Sequence, residues 1–111
     1  MTFVSDSTPL IALSRIKRLD LLKQICGTIF IPDEVYHEVV TRGGSLYGAK
    51  AVDYASWISV IPVLNKTAVD ALYLTVDRGE AEAIILAKEK NAMGSFFPIR
   101  FNLGSRYIEI G

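Results

Sequence analysis

At 111 residues, with hydrophobic side chains at half of its positions, the chain has the length for one domain with its own core and is too apolar for a disordered tail. Its 12 basic and 12 acidic residues cancel, which argues against an electrostatic coat on nucleic acid but not against a local acidic site with a modest basic rim. No apolar run approaches the ~20 residues of a membrane helix, and a single cysteine, Cys26, excludes an internal disulfide or a cysteine-rich zinc site. The N-terminus lacks the basic-then-apolar pattern of a signal peptide, so a cytoplasmic protein is expected, with Cys26 a buried structural thiol.

The chain opens with a short apolar run, Phe3-Val4-Ser5, that ends in Asp6 and is followed at once by a helix-start signal. Strand, carboxylate, turn, helix is how α/β folds hold a side chain at the carboxyl edge of a parallel sheet. Asp6 can be read as a helix N-cap, but Thr8 before Pro9 already supplies one, so Asp6 is surplus to local structure and a candidate site residue. A short helix follows over Pro9 to Leu13, and Arg18 to Cys26 continues helically with Gly27 closing it. Thr28 to Ile31 reads as a second strand stopped by Pro32, and Asp33 to Val40 as a helix with acids in its first turn.

Leu46 to Ser56 is a weaker helix after the break at Arg42-Gly43-Gly44-Ser45, and Trp57 to Ile61 a third strand ended by Pro62. Lys66 to Leu74 and Gly79 to Lys90 complete the helices. Strands alternating with helical segments imply a three-layer α/β/α domain with a parallel sheet covered on both faces, spanning 1–111. From Met93 the character changes: the segment is aromatic and poor in acids, with strands expected near Phe96 to Phe101 and Arg106 to Ile110.

Two further acids join Asp6. Glu34 and Glu38 share a helical face; Glu34 suits a first turn, whereas Glu38 lies a turn later and gains less from the dipole. On a wheel started at Glu80, Ala83, Ile84 and Ala87 fall within ~60°, so Glu80 heads the sheet-facing stripe and Glu82 points outward. Asp77-x-x-Glu80 equally fits a capping box, which leaves Glu80 open between cap and site. Asp6, Glu38 and Glu80 together would be hard oxygen ligands suited to Mg²⁺ or Mn²⁺. A P-loop, a dinucleotide fingerprint, a nucleophile elbow and an acid two residues after Asp6 are all absent from the sequence.

Four segments in order carry a resemblance: Val4-Ser5-Asp6-Ser7-Thr8-Pro9-Leu10-Ile11-Ala12-Leu13, Arg18-Leu19-Asp20-Leu21-Leu22, Ile31-Pro32-Asp33-Glu34-Val35-Tyr36-His37-Glu38-Val39, and Arg78-Gly79-Glu80-Ala81-Glu82-Ala83-Ile84. Across residues 3–91 the chain resembles a PIN domain, closest to the prokaryotic branch related to VapC-type toxins. The resemblance implies a Mg²⁺- or Mn²⁺-dependent endoribonuclease acting on RNA, the toxin of a toxin–antitoxin pair, dimeric and restrained by an antitoxin protein. It implies that Asp6, Glu38 and Glu80 are catalytic and bind metal, and that Ser7 positions metal or phosphate. Family members continue with a strand ending in a further aspartate. Here residues 92–111 hold only Glu109, which implies a truncated or frameshifted C-terminal part and an incomplete carboxylate site. The alternative is a non-catalytic PIN remnant that survives as a dimer or antitoxin-binding module.

Overall fold

The computed structural model describes residues 2–43, 47–90, 94–96, 100–103 and 106–109. Strand β1 (Phe3–Ser5) is followed by helices α1 (Ser7–Arg15) and α2 (Asp20–Cys26), then strand β2 (Ile29–Ile31). Helix α3 (Asp33–Tyr36) runs on into a π-helical turn over His37–Thr41, and α4 (Tyr47–Asp53) leads to strand β3 (Ile58–Val60). Helices α5 (Lys66–Leu72) and α6 (Arg78–Glu89) precede strand β4 (Gly94–Phe96). Strands β5 (Arg100–Leu103) and β6 (Arg106–Glu109) form a separate antiparallel pair, with Arg100 opposite Glu109.

The four-stranded sheet has the order β3-β2-β1-β4, and every pairing in it is parallel. The chain therefore winds outward from β1 through β2 to β3, then crosses back to lay β4 on the other side of β1. That reversal creates a topological switch point at the carboxyl ends of β1 and β4, where open α/β sheets bind ligands. Asp6 is the residue that follows β1.

The two sheet faces bury different helices. Val4 packs with Val63, Val69 and the alanine-rich α6 on one face. Ile29 and Ile31 pack with Leu10, Leu22, Val35 and Val52 on the other. Alternate strand residues thus feed two apolar clusters, which is the expected α/β/α arrangement. Trp57 joins the second cluster from its edge, and Cys26 is half-buried there rather than fully enclosed. Among the described residues no helix is long and apolar enough to cross a membrane.

The structure departs from the sequence reading in three places. The expected cap at Thr8 does not form: α1 starts two residues earlier than Pro9, at Ser7, with Asp6 in the N-cap position and extended. The tail holds a parallel strand, β4, paired with β1 through Ser5 opposite Phe96, so the strand expected around 96–101 is divided between β4 and β5, and 97–99 lie outside the described residues. The second tail strand stands as β6, with residue 110 outside the described set.

The third departure is Glu82. It is not outward-facing but 4% exposed, accepting the Glu34 backbone N–H at 3.1 Å and facing Arg78 Nε at 3.4 Å. Helix α3 begins at Pro32 without a side-chain cap, and Glu82 supplies one from α6. The wheel failed because α6 is covered on more than one side: α3 and α5 both pack on it, and Ala81, Ile85 and Leu86 are buried with Ala83 and Ala87. Glu82→Ala is expected to cost about 2 kcal/mol, since it leaves a helix-start N–H without its acceptor. Glu82→Gln, which keeps an acceptor oxygen, is expected to cost less; urea denaturation of both variants checks the order.

Candidate functional site

At the end of β1 the chain turns directly into α1, so Asp6 is held between a central strand and a helix start. It is 6% exposed, and its Oδ1 is buried without a hydrogen-bond partner among the described residues. Burial raises its pKa from the ordinary 3.8 to about 7, reinforced by the negative charges of Glu80, Asp77 and Glu38 and opposed only by the backbone of Thr8.

Glu38 reaches the same region from the π-helical turn. Its Oε2 accepts the Ser7 hydroxyl at 2.9 Å. Its Oε1 lies against the backbone of α6, where a Cβ built on Gly79 would stand 2.0 Å from that oxygen and 3.5 Å from Asp77 Oδ1. Glycine is therefore a condition for Glu38 to approach α6 this closely. The Glu38 pKa is raised, mainly by burial and also by Asp77 and Glu34, while the Ser7 hydrogen bond and Arg42 pull it down. Arg42 is itself paired with Glu34 on the same helical stretch.

Glu80 stands in the first turn of α6 and is half-buried, its pKa raised by burial and by Asp77 and Glu38. Half of the expected capping box is present: the Asp77 side chain accepts the Glu80 N–H at 2.8 Å. The reciprocal bond is not, and the Glu80 carboxylate takes no hydrogen bond among the described residues. Glu80 is thus freed from capping duty by Asp77.

Asp6, Glu38 and Glu80 act on one another electrostatically, with Ser7 bonded to Glu38. Asp77, read from sequence only as a cap, is a fourth acid of the group and acts on all three. The signal that could have found it was its place two residues before Gly79, whose bare backbone it flanks with Glu38. The family's later aspartate has no counterpart: beyond the Ser5–Phe96 pair the sequence continues Phe97-Pro98.

Among the described residues no three such side chains converge tightly enough to enclose a metal ion. The donor set nonetheless fits a hard divalent cation: all donors are carboxylate oxygens, one of them buried and unpartnered. Mg²⁺ in particular is commonly held by one or two carboxylates, with waters completing its shell.

A family model described as a PIN domain matches residues 2–94. No curated protein and no solved structure matches the chain.

Because folding raises the Asp6 pKa, the folded state holds that proton more tightly than the unfolded chain. The resulting stabilisation is complete below pH 3.8 and is lost as the pH climbs through about 7 in metal-free protein. Asp6→Asn, neutral throughout, is expected to melt above the wild type at about pH 7.5 in EDTA, with the gap closing toward about pH 4. Thermal melts across that range check it; a gap that does not change with pH contradicts it.

Proposed function

The chain belongs to the PIN domain family, and from that premise we propose that it is a Mg²⁺- or Mn²⁺-dependent endoribonuclease, the toxin component of a toxin–antitoxin pair acting in the cytoplasm. The observation that carries the reading is the buried, unpartnered Oδ1 of Asp6 at the sheet's switch point, with Glu38, Glu80 and Asp77 acting on it. Like charges gathered around a desolvated carboxylate are the environment that a divalent cation relieves. Asp6, Glu38 and Glu80 are the residues that would hold the cation and carry catalysis. A cation bound there supplies Lewis-acid chemistry to a phosphodiester and a more acidic attacking water.

The chain's own groups do the positioning. Ser7 fixes one oxygen of Glu38 by donating its hydroxyl. Asp77 anchors the first turn of α6 and so sets where Glu80 begins. Arg42, drawn toward Glu34, tempers the charge on Glu38 from the outer side. RNA is the substrate, an antitoxin protein restrains the site, and the working form is a homodimer; these three parts of the proposal rest on the family resemblance.

A second reading is favoured by one observation: β4 sits beside β1, yet the sequence that directly follows it, Phe97-Pro98, carries no acid, and no three carboxylates close on a common point among the described residues. On that reading the protein is a non-catalytic PIN remnant that acts as a dimer or antitoxin-binding module. An RNA cleavage assay with Mn²⁺ separates the two. The nuclease reading expects cleavage by wild type and at least a hundredfold loss in Asp6→Asn, Glu38→Gln and Glu80→Gln, the scale of a lost charge-stabilising group. A wild type as inert as Asp6→Asn leaves the remnant, whose dimer is then sought by size measurement in solution.

Gly79→Ala probes the close approach itself. The new methyl group would displace the Glu38 carboxylate, a mobile side-chain end, while alanine suits the first turn of a helix. Cleavage is expected to fall about tenfold or more with stability at or above that of the wild type. Parallel cleavage and melting measurements check the split.

A further inference from the structure

We propose that the groove between α1, the π-helical turn and α4 is a pocket for one unstacked nucleotide of the substrate strand, with its base in the apolar slot and its phosphate on Arg15, Lys17 and Arg42. The inference rests on the nuclease reading and deepens it by saying where the strand next to the scissile bond is held.

The groove has a volume of about 450 Å³, within the range of small-molecule pockets. Ile11, Val39 and Ala49 give it apolar walls. Arg15, Lys17 and Arg42 line it together with one acid, Glu38, and Arg42 is also ion-paired with Glu34, in a protein whose formal net charge is zero. That concentration is complementary to a phosphate. Glu38 also belongs to the acidic group, so the groove shares one of its lining residues with the carboxylates.

Two details mark the groove as built for a ligand. Ser14 lines it, is 1% exposed, and its Oγ has no hydrogen-bond partner among the described residues. A buried hydroxyl without a partner is costly, and one edge of a base would supply that partner. The space beside it is kept by Gly48, where a Cβ would lie 2.9 Å from the Ser14 Cβ.

The second detail is Lys17. Helix α1 ends in a Schellman arrangement, with the Arg18 N–H on the Leu13 carbonyl at 2.9 Å and the Lys17 N–H on the Ser14 carbonyl at 3.0 Å. Lys17 occupies the left-handed position, at φ +58°, where glycine sits without strain. The chain instead bears a cation there, on a strained backbone at the mouth of the groove. A peptide helix is the competing occupant, but a half-open groove of this volume that ends at Glu38 suits one nucleotide better.

Calorimetry on the full chain in EDTA tests the pocket without chemistry, titrating adenosine or uridine 5′-monophosphate against inorganic phosphate. At least one nucleotide is expected to bind about tenfold tighter than phosphate, the difference being the base. Lys17→Gly is expected to weaken that binding several-fold; Ser14→Ala is expected to weaken nucleotide binding but not phosphate binding. Nucleotides that bind no tighter than phosphate overturn the pocket, as does a Lys17→Gly variant of unchanged affinity, or displacement of nothing but an acidic peptide. RNA cleavage without nucleotide binding sinks the pocket alone, whereas nucleotide binding without cleavage in the Mn²⁺ assay sinks the nuclease reading.

Discussion

A carboxylate buried among other carboxylates must be neutralised, and the region around Asp6 is organised by that necessity. Of the groups acting on Asp6, three acids raise its pKa and the Thr8 backbone alone lowers it. The start of α1 lends some positive potential through the Thr8 backbone, but a helix end is worth a fraction of a charge. The remaining options are a bound proton or a bound cation. The two compete, since ligation by a carboxylate requires the deprotonated form, so any metal affinity at Asp6 would rise with pH through about 7.

The scaffold holds this unfavourable group together through contacts that are favourable in themselves. Glu82 ties α6 to the start of α3 by accepting the Glu34 N–H, at low exposure. With α3 fixed against α6, the π-helical turn that follows places Glu38 over Gly79. A single π-helical turn inside an α-helical run is uncommon and tends to mark functional positions. Here it links a structural acid, Glu82, to a site acid, Glu38. The attraction of Glu82 for a helix start holds in place the repulsion among Asp6, Glu38 and Glu80.

Asp6 was legible in the sequence because a strand and a helix meet on either side of it, which leaves little choice about where its side chain stands. Glu38 and Glu80 were legible as acids not fully used by their own helices, although the charge that Glu80 feels from Glu38, and that both feel from Asp77, is set by the tertiary fold. Glu82 was misread because a helical wheel assumes one buried stripe, and the small residues of α6 allow neighbours to cover more of it. Asp77 was hidden by its own plausibility as a cap: it does cap, and it contributes charge to the site as well. The parallel strand in the tail could not be inferred from composition, because Gly94-Ser95-Phe96 gains its strand character from the exposed edge of β1.

The neutral overall charge concealed a separation that only the fold creates. Arg15 and Lys17 stand at the end of α1 and Arg42 follows the π-helical turn, so no sequence window shows them as a cluster. The acids, by contrast, lie at β1, the π-helical turn and α6. Glu38 is common to both groups: one of its oxygens is on Ser7, the other lies against Gly79, and the residue also lines the groove. A phosphodiester strand needs both: cations where its neighbouring phosphates lie, and acids where a divalent ion is to sit. The separation is not complete, since Arg42 pairs with Glu34 and lowers the Glu38 pKa. On the proposed reading, it would let a formally neutral protein offer carboxylates to a cation and basic groups to a phosphate on either side of Glu38.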